Sequence, residues 1–191
     1  MSVVQLENRR NKIHPQKFAL WISFASSMMV FMAFTSAFLV RQAQGNWMEF
    51  KLPDVFFLNT AIILASSITL HTAYLQFLKR NFNAYKTLLT ITLILGFAFL
   101  AGQYVGWQAL ANSGVPLTMN PSGDFIYVIS GAHALHIVGG IAALIIAIIH
   151  AYGLPNTVTP LRKLRLELTL SFWHFVDFLW LYLLIFFVLQ S

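Results

Sequence analysis

Residues 125–149 read FIYVISGAHALHIVGGIAALIIAII, an apolar run of 25 residues without Asp, Glu, Lys or Arg. About 20 such residues are enough for a helix to cross the hydrocarbon core of a bilayer. A membrane β-strand is instead a segment of about ten residues with alternating polarity, a pattern that this run lacks. The run therefore predicts a transmembrane α-helix.

Four further apolar runs of similar length lie along the chain, at residues 18–40, 56–78, 88–111 and 168–189. Asp177 is the only Asp, Glu, Lys or Arg residue within any of the five runs. The loops between them are too short to hold a soluble catalytic domain. The sequence predicts an all-α fold, a polytopic membrane bundle of five transmembrane helices. Residues 1–17 would form an N-terminal segment and residues 18–191 a single domain.

The composition of the 191-residue chain excludes several classes of protein. It is 58% hydrophobic and 9% charged, whereas a soluble domain has about 25% charged residues. Its 18 Phe, 5 Trp and 6 Tyr residues are too many for a disordered chain. The sequence has no cysteine, which excludes disulfides, iron–sulfur clusters and thiol chemistry. The net charge of +6 comes from short groups of Lys and Arg between the apolar runs, so we expect no nucleic-acid partner.

The distribution of Lys and Arg predicts how the chain is oriented. Ten of the twelve precede the first run or lie in the second and fourth loops, whereas Arg41 and Lys51 lie on the other side. Because loops rich in Lys and Arg stay inside, we expect the N-terminus inside and the C-terminus outside. The first run is longer than a signal-peptide core and has no small-residue cleavage pattern, so we expect it to remain as a helix.

Small residues spaced four apart predict where the helices pack, because they let backbones approach closely inside a bilayer. They occur in the second, third and fourth runs. The three sets are Ala61, Ala65, Thr69 and Ala73; Ala98, Gly102 and Gly106; and Gly139, Ala143 and Ala147.

Ionisable side chains inside a bilayer are costly, so those within the runs are candidates for function. They are His71, His133, His136, His174 and Asp177. His133 and His136 are three residues apart, which predicts that they share a helix face, and the same holds for His174 and Asp177.

Several interpretations of these residues remain open. His133 and His136 have the spacing of half a metal site, but the Glu ligands of a di-iron bundle are missing from the sequence. A haem held by two histidines needs one on each of two helices at equal depth, and His71 and His174 come close to that. Otherwise the histidines are neutral and hydrogen-bonded between helices, or hold a lipid headgroup. His174 and Asp177 are either a structural hydrogen-bonded pair or a site that handles protons or headgroups.

Four sequence motifs together resemble subunit III of the haem–copper oxidases. Residues 131–144, GAHALHIVGGIAAL, are similar to its Gly-x-His-x-x-His segment, and residues 173–180, WHFVDFLW, to its Trp-His-Phe-Val-Asp signature, with Glu167 seven residues before His174. Residues 95–103, LGFAFLAGQ, resemble its Leu-Gly-x-x-Phe-x-x-x-Gln pattern. Residues 59–71, NTAIILASSITLH, carry its Asn-Thr and Ser-Ser pattern. The resemblance runs in unbroken order over residues 18–189.

The resemblance implies an accessory subunit of a proton-pumping terminal oxidase. Such a subunit packs against catalytic subunit I, accompanies subunit II, holds phospholipid, and supports stability and proton uptake. Haem and copper would belong to the partner subunits, with no metal or cofactor in this chain. A small subunit IV and a respiratory supercomplex stay open as further partners, and the electron donor is cytochrome c or quinol.

The resemblance also marks eight residues as lipid-binding or structural polar positions rather than catalytic ones. These are His71, Gln103, His133, His136, Glu167, Trp173, His174 and Asp177.

The chain departs from the family pattern at two intramembrane acids. Ser27 stands where an acidic residue commonly follows Ala-Ser, and Gly106 stands where a glutamate often follows the Gln of the third span. Any role of those acids does not carry over. Many mitochondrial members have two more spans at the start, so we expect the short five-helix form of a bacterial inner (plasma) membrane.

Two other functions compete with this one. A membrane anchor that binds haem b and quinone would use His71 and His174. A small transporter also fits five spans, but the sequence lacks the internal repeat typical of transporters.

Overall fold

The computed structural model describes residues 14–45, 52–115 and 121–191. Its five helices are α1 (Pro15–Gln42), α2 (Val55–Leu78), α3 (Phe82–Asn112), α4 (Pro121–Gly153) and α5 (Pro160–Leu189). Each of them is long and apolar enough to cross a membrane. Every predicted apolar run lies within one helix, so the all-α, five-span prediction is confirmed. Of the predicted N-terminal segment, residues 1–13 lie outside the described residues.

The helices begin where the local sequence favours a helix start. Pro15, Pro121 and Pro160 stand at the first helical position of α1, α4 and α5, where the fixed φ suits a helix and the missing N–H costs nothing. Thr159 caps α5, since its hydroxyl accepts a hydrogen bond from the Arg162 N–H at 3.3 Å. As a result α5 starts ahead of its apolar run, and the basic group predicted for the fourth loop lies on the first turns of a helix.

Four of the helices form a ring. α2 packs against α3, α3 against α4, α4 against α5, and α5 against α2. α1 lies outside this ring and packs against α4 and α5. Consecutive helices run in opposite directions because their connections are short. α5 therefore contacts three other helices, and it is the most buried of the five.

We call the end where α1, α3 and α5 begin the basic end of the bundle. All the described Lys and Arg residues except Arg41 lie there: Lys17, Lys79, Arg80, Lys86, Arg162, Lys163 and Arg165. The side of the membrane that this end faces stays a prediction from the same charges.

Three tryptophans link neighbouring helices through their indole N–H groups. Trp173 of α5 donates to the Ser66 hydroxyl at 2.9 Å and Trp180 to the Thr60 hydroxyl at 3.0 Å, both on α2. Trp107 of α3 donates in the same way to Ser130 of α4 at 2.9 Å. Each bond satisfies the only polar atom of a large side chain inside the bundle, so the ring is fixed by hydrogen bonds as well as by packing.

The packing predicted from small residues is confirmed for α3 and for part of α2. A Cβ added at Gly102 would overlap the side chain of Asn59, and one at Gly106 would lie 3.0 Å from the ring of Phe56, so both glycines allow close approach to α2. On α2, Ala61 and Ala65 are exposed, whereas Ala73 is fully buried and the Thr69 hydroxyl bonds that of Thr92 on α3 at 2.8 Å.

On α4 the close contact is one residue away from the predicted one. Gly139 is exposed, and the nearest atom to an added Cβ is 4.0 Å away. Gly140 is buried instead, and an added Cβ there would lie 2.9 Å from the ring of Trp173. The prediction for Gly139 was wrong because spacing alone does not fix how a helix is rotated towards its neighbours.

Candidate functional site

Glu167 joins three helices at the basic end. Its carboxylate accepts a hydrogen bond from the Lys17 ammonium of α1 at 2.6 Å and from the Tyr74 hydroxyl of α2 at 2.9 Å. Lys17 contacts Oε2 of Glu167. The ammonium group of Lys163, one turn earlier on α5, lies 3.7 Å from the other oxygen, Oε1. About a quarter of the Glu167 side chain stays exposed, at 23%. A partly exposed carboxylate with this many partners holds α1 and α2 to α5 at the membrane surface.

Trp173 and His174 attach α5 to α2 about two turns along α5 from Glu167. Trp173 is fully buried and bonds Ser66, as described above. The next residue, His174, lies 2.5 Å through Nδ1 from the hydroxyl of Ser67. Two adjacent motif residues of one helix thus meet two adjacent serines of another. The sequence motifs contain Ser66 and Ser67, but nothing in the spacing predicted that they would be the partners.

Asp177 is buried beside the same contact but is not paired with His174. Among the described residues, neither carboxylate oxygen of Asp177 has a hydrogen-bond partner within bonding geometry. The Ser67 hydroxyl lies beside this carboxyl group. The predicted His174–Asp177 pair is therefore not formed, and His174 bonds Ser67 instead.

His133 and His136 contact different neighbouring helices although they are only three residues apart on α4. His133 is fully buried in the ring, with its imidazole centroid 5.9 Å from that of Phe99 and 5.1 Å from that of Trp180. His136 faces α1 instead, with Nε2 3.3 Å from the hydroxyl of Ser27. The two histidines therefore do not form one site, since each contacts a different neighbouring helix.

Gln103 and Asn59 lie in the same half of the ring as His133. Gln103 is buried on α3 next to Gly102, against which Asn59 of α2 packs. Within the described part of the chain, the amide group of Gln103, the Asn59 carbonyl oxygen and both ring nitrogens of His133 have no hydrogen-bond partner. This half of the core therefore holds several buried polar groups, and the imidazole of His133 among them packs against Phe99 and Trp180.

The two departures from the family pattern have structural explanations. Ser27 bonds His136, so the hydroxyl takes a place beside α4 where an acid would stand. At Gly106 the space for a side chain is filled by the ring of Phe56, which in turn stacks on Trp180 with centroids 6.0 Å apart. A glutamate at this position would displace that aromatic stack.

The structure brings His71 and His174 together at a place where α2 and α5 are in direct contact. Their ring centroids are 5.8 Å apart and their planes are inclined by 44°. A haem between two helices would hold those helices apart, whereas α2 and α5 touch here through the bonds of Ser66 and Ser67. This close packing disfavours the haem-anchor interpretation.

The eight predicted positions do not line a single cleft. His71 is exposed on α2, His133 is inside the ring, and His136 faces α1. Within the described ranges, no three His, Asp or Glu side chains converge as metal ligands would. The positions instead form a set of contacts between helices, which is the arrangement of a membrane scaffold.

Comparison with known proteins identifies the family to which this membrane scaffold belongs. The pattern of the family described as cytochrome c oxidase subunit III matches residues 15–191. A protein of Nocardia farcinica named probable cytochrome c oxidase subunit 3 is 29% identical over 171 residues, covering 85% of this chain and 80% of the relative. The similarly named protein of Mycobacterium tuberculosis strain H37Rv is 28% identical over 167 residues, covering 84% of this chain and 81% of the relative. Cytochrome c oxidase subunit 3 of Gallus gallus is 32% identical over 130 residues, covering 68% of this chain and 48% of the relative.

The fold and these contacts define a multi-pass membrane subunit whose helices are tied together by polar side chains. The chain belongs to the cytochrome c oxidase subunit III family, since the family pattern covers all five helices. It is an accessory subunit of a haem–copper oxidase, it acts in a complex with other oxidase subunits, and in bacteria it lies in the plasma membrane.

Proposed function

We propose that this chain packs against the catalytic subunit of its oxidase, holds phospholipid beside it, and supports both the stability of the complex and its proton uptake. The observation that carries the proposal is that the signature residues of α5 bond a neighbouring helix. Trp173 and His174 are both bonded to α2, so the most characteristic residues of the family fix the shape of the bundle. A bundle of fixed shape can present constant surfaces to a partner subunit and to lipid.

Proton uptake is supported by the arrangement at the basic end. Glu167, Lys17, Lys163 and His14 line one shallow surface pocket between α1 and α5. The Glu167 side chain is partly exposed to water, at 23%, and Tyr74 continues its hydrogen-bonded chain into the bundle. Such a surface can collect protons for an entrance on a neighbouring subunit.

Purification of the intact complex tests the proposed partnership. An affinity tag on this chain, with membranes dissolved in a mild detergent, is expected to recover a haem–copper catalytic subunit, identified by mass spectrometry and its absorption spectrum. A complex purified from cells that lack the chain is expected to start at a similar rate of oxygen consumption and then lose activity during sustained turnover. Recovery of the chain without any oxidase subunit would contradict the proposal.

Proton uptake is tested separately with Glu167→Gln. We expect this variant to assemble and to slow proton uptake by oxidase reconstituted in vesicles, measured with a pH indicator inside the lumen. Asp54→Asn is the matched control, because Asp54 is an exposed carboxylate at the opposite end of the bundle. Equal proton uptake by both variants and the unaltered complex would show that Glu167 does not contribute to proton uptake.

A further inference from the structure

A second opening lies at the basic end, on the other side of α5 from Glu167. It is a cavity of about 480 Å³ between α3, α4 and α5. Its polar part is formed by Tyr85, His150, Arg162 and Arg165, and its apolar part includes Ala143 and Ala147 of α4. The volume is within the range of sites that bind small molecules.

Arg162 is held in position by the loop between α4 and α5. Its guanidinium group donates to the carbonyl oxygens of Pro155 at 2.6 Å, Thr157 at 2.9 Å and His150 at 3.2 Å. These neutral acceptors orient the group but do not neutralise it. The cavity therefore has a fixed positive charge at its mouth.

The positive charge of the cavity has no counter-ion among the described residues. Within the described residues, Glu167 forms ion pairs with Lys17 and Lys163, and no ion pair involves Arg162 or Arg165. No Asp or Glu is found among the residues described as lining the cavity. Arg165 is exposed, so its guanidinium group is free to turn towards a ligand. The chemistry of the mouth thus favours an anion.

The rest of the cavity favours a hydrocarbon chain. Ala143, Ile146 and Ala147 continue along α4 from His150 towards the middle of the bundle, and Leu166 and Thr169 of α5 face the same space. The two alanines leave a groove between larger neighbours. A ligand that fits both parts has an anionic head at the membrane surface and an apolar tail along the helices.

We propose that this cavity binds an anionic phospholipid, with its phosphate at Arg162 and Arg165 and one acyl chain along Ala143 and Ala147. Basic pockets between transmembrane helices commonly bind anionic headgroups, and guanidinium groups suit phosphate oxygens. The inference names one site for the lipid-holding part of the proposed function, on which it rests.

The test uses the complete oxidase, stripped of lipid in detergent and placed in nanodiscs of phosphatidylcholine with a limiting amount of phosphatidylglycerol. Native mass spectrometry then counts the phosphatidylglycerol retained for each copy of this chain. Arg165→Gln is expected to retain about fivefold less, the effect of one surface cation on an anionic lipid. Arg165→Lys is expected to retain most of it. Lys79→Gln is the matched control, because Lys79 is an exposed cation of the basic end outside the cavity.

A second variant separates a lipid from a soluble phosphate. Ala147→Phe fills the groove but leaves both arginines, so it is expected to release phosphatidylglycerol while glycerol 3-phosphate binds as before. Displacement of the lipid from the unaltered complex by glycerol 3-phosphate alone would show a phosphate site and overturn the proposal. Unchanged retention in both Arg165→Gln and Ala147→Phe would also overturn it. Because the catalytic subunit is counted in the same spectra, its absence would refute the proposed function instead.

Discussion

The contact between Gly140 and Trp173 allows the packing of the ring to be tested with one methyl group. A Cβ at residue 140 would lie 2.9 Å from Cζ3 and 3.0 Å from Cε3 of the indole. The ring has little freedom to retreat, because its far edge faces Gly96 and its Nε1 is bonded to Ser66. Gly140→Ala is therefore expected to overpack the core.

Gly139→Ala is the matched control for this change. The two glycines are adjacent in one helix, so each gains about 1 kcal/mol of helix propensity when replaced by alanine. Only Gly140 meets the indole, and overpacking of a core costs about 1–3 kcal/mol. The difference between the two variants isolates that cost. We expect Gly139→Ala to be neutral or stabilising and Gly140→Ala to be less stable than it by about 1–3 kcal/mol.

The free energy of unfolding can be followed in this chain alone because the chain has no cysteine of its own. A single Ala73→Cys replacement places a thiol at a fully buried position, and its labelling in the purified oxidase is read on this chain by mass spectrometry. Increasing amounts of SDS should expose the thiol earlier in Gly140→Ala than in Gly139→Ala. Equal midpoints for the two variants would show that the indole does not pack on Gly140.

Three further predictions follow from the contacts of α3 and α5. Gly102→Leu should release the chain from the oxidase during detergent extraction, because Asn59 fills the space that a side chain would need. Ala101→Leu, on the exposed side of α3, should leave the chain in the complex. If both variants stay in the complex, α2 does not pack against Gly102. Ser67→Ala should destabilise the bundle by about 1–3 kcal/mol, because it leaves Nδ1 of His174 without its hydrogen-bond partner. An unchanged SDS midpoint would contradict this. Asp177→Asn and Asp177→Leu should both assemble, because Ser67 and not Asp177 holds His174; loss of oxygen consumption by an intact Asn variant would instead give Asp177 a catalytic role.

The sequence alone determined the helices of this protein and their order. Apolar runs of transmembrane length have few structures open to them, because every backbone polar group must be satisfied within the bilayer. The prolines that begin α1, α4 and α5 are likewise local features. The motifs in residues 59–71, 95–103, 131–144 and 173–180 were enough to suggest the family, which the comparison then confirmed.

Only the tertiary structure decided which neighbour each side chain meets. Residues three apart on a helix differ in direction by about 60°, and this was enough to place His133 inside the ring and His136 against α1. The same rotation of α4 put Gly140 rather than Gly139 against Trp173. In a soluble helix the hydrophobic stripe would reveal the buried face. In a bilayer the lipid and the protein interior are about equally apolar, so hydrophobicity carries little information about rotation and the contacts between helices determine it.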